Sequence, residues 1–288
     1  MGQLVNILAG LATTLLGYII GRIWQRIVDQ IPYRRARVFW QPLFTSQIQV
    51  VVSRFESPSF PEPTGLVGGG DAIALREIST YLSRIGFRRH KVVYVDEASL
   101  DRKNNLILLG GPDANAVTRD ALQLIDARFQ LIDPGPGHPA EIRDTGPAES
   151  RGTIRTSARA AVRTYVPTAD SDYGVVIRAR NPFNPEKWLV IFAGAYGYGT
   201  WGGVELALSD HAFLRQCLEL QHKHGGSNGR RLTSPQRWRR GNGVRRLAGA
   251  EPVQLECLFL VRVYDRRPYA HELIVPPRLL TGSRHSAH

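Results

Sequence analysis

The sequence predicts a Rossmann-like α/β domain, a mostly parallel sheet with helices on both faces, preceded by one N-terminal transmembrane helix. Three observations lead there. Short β-branched runs alternate with stretches of helical periodicity. Three of the joins are rich in glycine, near Gly68–Gly70, Gly110–Gly111 and Gly194–Gly203. The opening residues are almost purely apolar.

Composition narrows the class. With 288 residues and 43% apolar side chains, one core-bearing domain with appendages fits, and 22% charged residues exclude global disorder. The net charge of +12 favours anionic partners: lipid headgroups, nucleic acid or phosphorylated ligands. Cys217 and Cys257 are the two cysteines, in different segments, so neither a disulfide framework nor a Cys/His metal site is expected. A reducing compartment suits them.

Residues 1–37 read as the anchor. Leu4 to Trp24 counts 21 residues, close to the roughly 20 that a spanning helix needs. Arg22, Arg26, Arg34, Arg35 and Arg37 all follow it and no Lys or Arg precedes it. The positive-inside rule then puts the N-terminus outside and the rest in the cytoplasm, in a single-pass protein of the cell membrane with the lipid bilayer as partner. Gly17 and Gly21 form a GxxxG pair, either a homo-oligomer interface or ordinary membrane glycines. Ile23 to Ile31 continues as an amphipathic helix that Pro32 ends.

Residues 38–221 carry the α/β pattern. Gln47 to Phe55 is a strand, and a Pro/Ser loop follows it. Asp71, after Gly68-Gly69-Gly70, is an N-cap candidate for a helix through Leu75, Ile78, Leu82 and Ile85 that stops at Gly86. Lys91 to Val95 and Leu106 to Leu109 are strands. The second runs through Gly110-Gly111-Pro112-Asp113-Ala114-Asn115 into a helix with Val117, Ala121, Leu122, Ile125 and Phe129 on one face. Leu131 to Ala148 reads as loop, and Gly152 to Val166 as a strand or hairpin at the sheet edge. Asp170 and Asp172 could form a paired carboxylate, but on a polar loop they read first as solvated. Val175 to Arg178 and Trp188 to Phe192 are strands, and one helix runs from Val204 toward Leu220. Residues 222–250 form a basic linker and 281–288 a tail. Between them, 251–280 is a hairpin of Leu255 to Tyr264 and Tyr269 to Val275.

In an open α/β sheet the ligand crevice lies at the carboxyl ends of the strands. Gly69, Gly70, Gly110, Gly111, Asn115, Gly197, Gly199 and Thr200 are therefore the expected ligand residues, around a nucleotide or another phosphorylated molecule. Each glycine serves equally as a turn, and Asn115 equally as a cap. Asp113, Thr118 and Asn181 are further polar candidates. Asp71 and Glu205 are the acid/base candidates if the chain is an enzyme.

Ala193-Gly194-Ala195-Tyr196-Gly197-Tyr198-Gly199-Thr200-Trp201-Gly202-Gly203-Val204-Glu205 resembles the P-G-G-x-G-T-x-x-E loop of the LOG/SLOG Rossmannoid nucleotide-binding families, with Ala in place of Pro and a later Glu. The resemblance implies that the glycines and threonine hold phosphate and that Glu205 assists N-glycosidic hydrolysis. Leu109-Gly110-Gly111-Pro112-Asp113-Ala114-Asn115 is similar to a G-G-P-x-x-N loop of archaeal S-layer-type C-terminal domains. The expected function is a nucleotide-binding sensor or effector domain. The alternatives are a nucleotide or N-glycosidic-bond hydrolase and a scaffold without ligand. Arginines 230, 231, 237, 239, 240, 245 and 246 of the linker, with Trp238, suit an anionic surface. Beside an anchor, lipid is the nearer anion and nucleic acid is not an expected partner, while a solvated loop with no specific partner serves equally.

Overall fold

A computed structural model describes residues 15–21, 36–54, 66–132, 135, 139–146, 162–225 and 252–280. The elements in chain order are β1 (Ile48–Val52), α1 (Gly69–Arg84), β2 (His90–Tyr94), β3 (Asn105–Leu109), α2 (Ala116–Leu124), β4 (Phe129–Ile132) and β5 (Glu141–Asp144). They continue as β6 (Arg163–Tyr165), β7 (Ser171–Asn181), β8 (Asn184–Gly194), α3 (Gly197–Ser209), α4 (His211–His224), β9 (Leu255–Tyr264) and β10 (Arg267–Leu279). Seven strands form one sheet in the order β10-β9-β7-β8-β3-β1-β2, and β4-β5-β6 form a second.

The expected mostly parallel sheet is corrected. β2, β1, β3 and β8 are mutually parallel, but β7, β9 and β10 extend the sheet antiparallel. Among the described residues, five of the eight strand pairings are antiparallel. The reason is connection length. Only Pro182 and Phe183 separate β7 from β8, and only Asp265 and Arg266 separate β9 from β10. Parallel neighbours need a crossover of a dozen or more residues, so such short links force a reversal.

The transmembrane helix is corrected too. Among the described residues no helix is long and apolar enough to cross a membrane. Of the expected span, residues 15–21 are described as helix, a length of about 10 Å against the roughly 30 Å of a bilayer core. The single-pass, cell-membrane placement and its outside/cytoplasmic orientation lose their support with it. The amphipathic extension, most of the basic linker and the tail lie outside the described residues.

Three smaller expectations change. Leu131 to Ala148 contains strand β5 and the end of β4, paired through Leu131 and Ile142. Phe129 belongs to β4, not to the helix before it. The single helix from Val204 divides at Asp210, whose carboxylate accepts the Phe213 amide at 2.7 Å and caps α4.

The main sheet is covered on both faces. One face packs against α1, α3, α4 and the helical residues 36–40. There Phe39, Trp40, Tyr81, Phe192 and Phe213 form a continuous aromatic cluster, and the Trp40 indole donates to the Ala207 carbonyl at 3.0 Å. Arg178 of β7 is fully buried and donates to the carbonyls of Phe39 and Val253 at 2.8 and 2.9 Å. Burial lowers its pKa to about 10. The other face packs against α2 and the small sheet. The buried Arg128–Asp144 pair and Glu256, which accepts the Arg128 amide at 2.9 Å, tie β4 and β5 to β9.

Candidate functional site

Because β1, β3 and β8 are parallel, their carboxyl ends share one edge. β1 connects through α1 to β2 on one side, while β3 lies on its other side. That reversal is a topological switch point, where the chain diverges and leaves a crevice. Four elements converge there. Ser53 follows β1, Asp71 lies in the first turn of α1, Gly110 follows β3 and Thr200 lies in the first turn of α3.

Ser53 Oγ donates to Asp71 Oδ2 at 2.6 Å, and the Thr200 hydroxyl bonds the same carboxyl. Asp71 is 5% exposed, and Ser53 and Thr200 are buried with it. Burial pushes the Asp71 carboxyl above the usual carboxylate range. The bonds from Ser53 and Thr200 oppose that, and the nearby Asp113 adds to it. Gly110 has φ +96°, and a Cβ there would stand 3.1 Å from both Asp71 Oδ2 and Ser53 Oγ. Only glycine satisfies both constraints, so backbone lies directly against the carboxyl. Asp71 is not the α1 cap, since Gly68 holds that position without a side-chain bond.

The other expected ligand residues have mixed surroundings. A Cβ on Gly70 would sink into the Gly197 carbonyl, so the first turns of α1 and α3 meet backbone to backbone. Gly69 faces open space. A Cβ on Gly111 would come within 2.6 Å of Asp113 Oδ1. Asn115 is buried and caps α2 by accepting the amides of Val117 and Thr118, each at 3.1 Å. Its amide donates to the Leu109 carbonyl at 2.9 Å. Gly199 packs against the Tyr173 carbonyl, where no side chain fits. Thr118 is buried in α2, and Asn181 donates to the carbonyls of Arg102 and Asn104, away from the edge.

The structure adds a residue that sequence reasoning placed in solvent. Asp172, in β7, is 1% exposed. Its carboxylate accepts the Gly199 amide at 2.6 Å, the Tyr196 amide at 3.1 Å and the Tyr173 amide at 2.8 Å. Amides that the glycine pattern offers to a phosphate are thus held by an internal carboxylate. Burial pushes the Asp172 pKa up to about 6 against the pull of those three bonds. The signal was present in sequence: Asp172, Gly174 and Val176 alternate in phase with the strand that follows.

Glu205 lies five residues beyond Thr200 on α3, about 7 Å along the axis. Its carboxylate is 3.3 Å from His271 Nε2 on β10. The structure therefore does not bring the two acid/base candidates together. The edge is shallow: a depression bounded by Pro112, Asp113, Leu131, Gly194 and Ala195 holds about 10 Å³, room for one water. Among the described residues no three His, Cys, Asp or Glu gather to hold a metal. No protein-family model matches the chain, and no curated protein matches its sequence.

Proposed function

We propose that the chain binds a nucleotide-like small ligand across the β1/β3 edge, as a sensor or effector domain. The observation that supports this is the convergence of Ser53, Asp71, Gly110 and Thr200 from four elements on one buried carboxyl. Asp71 and Asp113 suit the hydroxyls of a sugar, and the first-turn amides of α1 suit a phosphate. At α3, Asp172 already takes the Gly199 amide and the amide of the N-cap Tyr196, which supports α1 for the phosphate end. A thermal-shift panel of ATP, AMP, NAD and ADP-ribose on the full chain tests the reading. At least one should raise the melting temperature, and Asp71→Asn should weaken that ligand about tenfold. A panel without a binder would leave the glycines as packing residues of a ligand-free scaffold.

One observation favours turnover as a second reading. A carboxyl whose pKa burial raises holds its proton to higher pH and can act as a general acid toward a bound ligand. Released base or phosphate, lost in Asp71→Asn, would establish it.

A further inference from the structure

The β9–β10 hairpin projects beyond the line where β7 begins, since Ser171 pairs with Arg262 and the turn lies further out. Its tip carries two open aromatic rings. Tyr264 is 76% exposed and Tyr269 65%, with centroids 6.5 Å apart and planes at 88°. Arg262, Arg266 and Arg267 lie within two residues of them in the chain, all exposed.

Two backbone features build this tip. The turn residues Asp265 and Arg266 have φ 47° and 58°, the left-handed pair of a two-residue hairpin turn. Glycine is the usual residue at the second position, yet an arginine stands there. The ladder also slips between Pro268 and Ala270, so Tyr269 is the extra residue of a bulge. Bulges re-aim side chains, and this one sets Tyr269 against Tyr264. Neither ring serves the core.

We infer that the hairpin tip binds single-stranded nucleic acid, with bases stacked on Tyr264 and Tyr269 and phosphates held by Arg262, Arg266 and Arg267. Every base has a π face, so open rings beside guanidinium groups form a sequence-tolerant platform. A single strand engages rings and arginines at once, repeating a π face and a phosphate with every nucleotide. The local charge is positive even with Asp265 and Glu272 counted, and Glu272 stands 3.8 Å from Arg262. The chain's net +12 adds attraction at longer range. Ranking lipid above nucleic acid rested on the anchor, and the tip is an independent observation.

The test is fluorescence anisotropy of labelled oligo(dT), about 15 nucleotides, with the full chain at about 0.15 M salt. Replacing both Tyr264 and Tyr269 by Ala should weaken binding about tenfold or more, with the melting temperature hardly moved. Arg266→Gly should weaken binding a few-fold and raise the melting temperature. A turn with no partner would gain the stability and keep its binding unchanged. Equal affinity of the double Tyr variant and the wild type would overturn the inference and move the binding to other basic residues. Competition by poly-glutamate as strong as by unlabelled oligo(dT) would overturn it in favour of an acidic protein.

Discussion

In the parallel half, β1 reaches β2 only by crossing the sheet through α1, and the carboxyl ends of β1, β3 and β8 each open toward a helix N-terminus. In the antiparallel half, β7–β8 and β9–β10 reverse within two residues and settle their backbone bonds locally. The consequence for polar groups is opposite. The parallel edge gathers Ser53, Asp71 and Thr200 out of solvent, and Asp71 is pushed toward its neutral form. The hairpin end leaves two tyrosines and three arginines in water. A crossover brings distant chain together and can bury a carboxyl among partners, whereas a hairpin tip has only its own neighbours. Asp172 lies where the halves meet, an antiparallel strand's carboxylate holding the turn into α3.

The largest effect expected is at the contact between α1 and α3. Gly70→Ala should cost about 3 kcal/mol or more, because its Cβ would meet backbone that cannot turn aside. Gly69→Ala, one residue away in open space, should be neutral or stabilising by a few tenths of a kcal/mol. Urea midpoints of the two variants measure the difference. Equal midpoints would mean that the two first turns do not touch.

Next comes acidity. The folded pKa of Asp172, about 6, lies above the roughly 3.9 of an unfolded aspartate. Between these values the folded chain holds a proton that the unfolded chain has lost. Stability should therefore fall as pH rises from about 4 to about 6, by about 3 kcal/mol, and stay level above. Asp71 and Glu256 are shifted in the same direction and add to the slope. In Asp172→Asn the slope should shrink. A variant with the wild-type slope would free Asp172 from this role.

Asn115→Ala comes third. It removes a cap and a bond to the end of β3, so a loss of about 1–2 kcal/mol is expected. Ligand affinity should not change, since the side chain is used up internally. Weaker nucleotide binding at unchanged stability would return Asn115 to the crevice.

The smallest effect has the opposite sign. Arg266→Gly relieves a left-handed residue at the hairpin tip and should stabilise by about 0.5–1 kcal/mol. Glycine would then help in the antiparallel half at an exposed position, while a methyl on Gly70 harms the other half. A destabilised Arg266→Gly would show that the arginine holds the turn itself.

Most local elements of the parallel half were legible. β1 lies inside the run Gln47 to Phe55, β3 is the run ending at Leu109, and Asn115 caps its helix. Each is written in adjacent residues: branched side chains, a glycine that must turn, an asparagine before a helix. β5 was missed because Glu141-Ile142-Arg143-Asp144 holds one apolar residue, which is buried only because α2 and β4 cover it. The meeting of Gly70 with Gly197 could not be read either, since 127 positions separate them and no local pattern names a partner.

By itself, then, the sequence determined that β1 and β3 extend, that the chain turns at Gly110 and that Asn115 caps α2, because those depend on neighbours a few bonds away. It even held the sheet's reversal, in the two-residue links around Pro182-Phe183 and Asp265-Arg266. Only the tertiary structure decided that Asp71 meets Ser53 and Thr200, that Asp172 takes the amides of the glycine loop, and that Glu205 faces His271 instead. Burial and pairing come from chain segments far apart in sequence, and the charge state of a carboxyl follows from them.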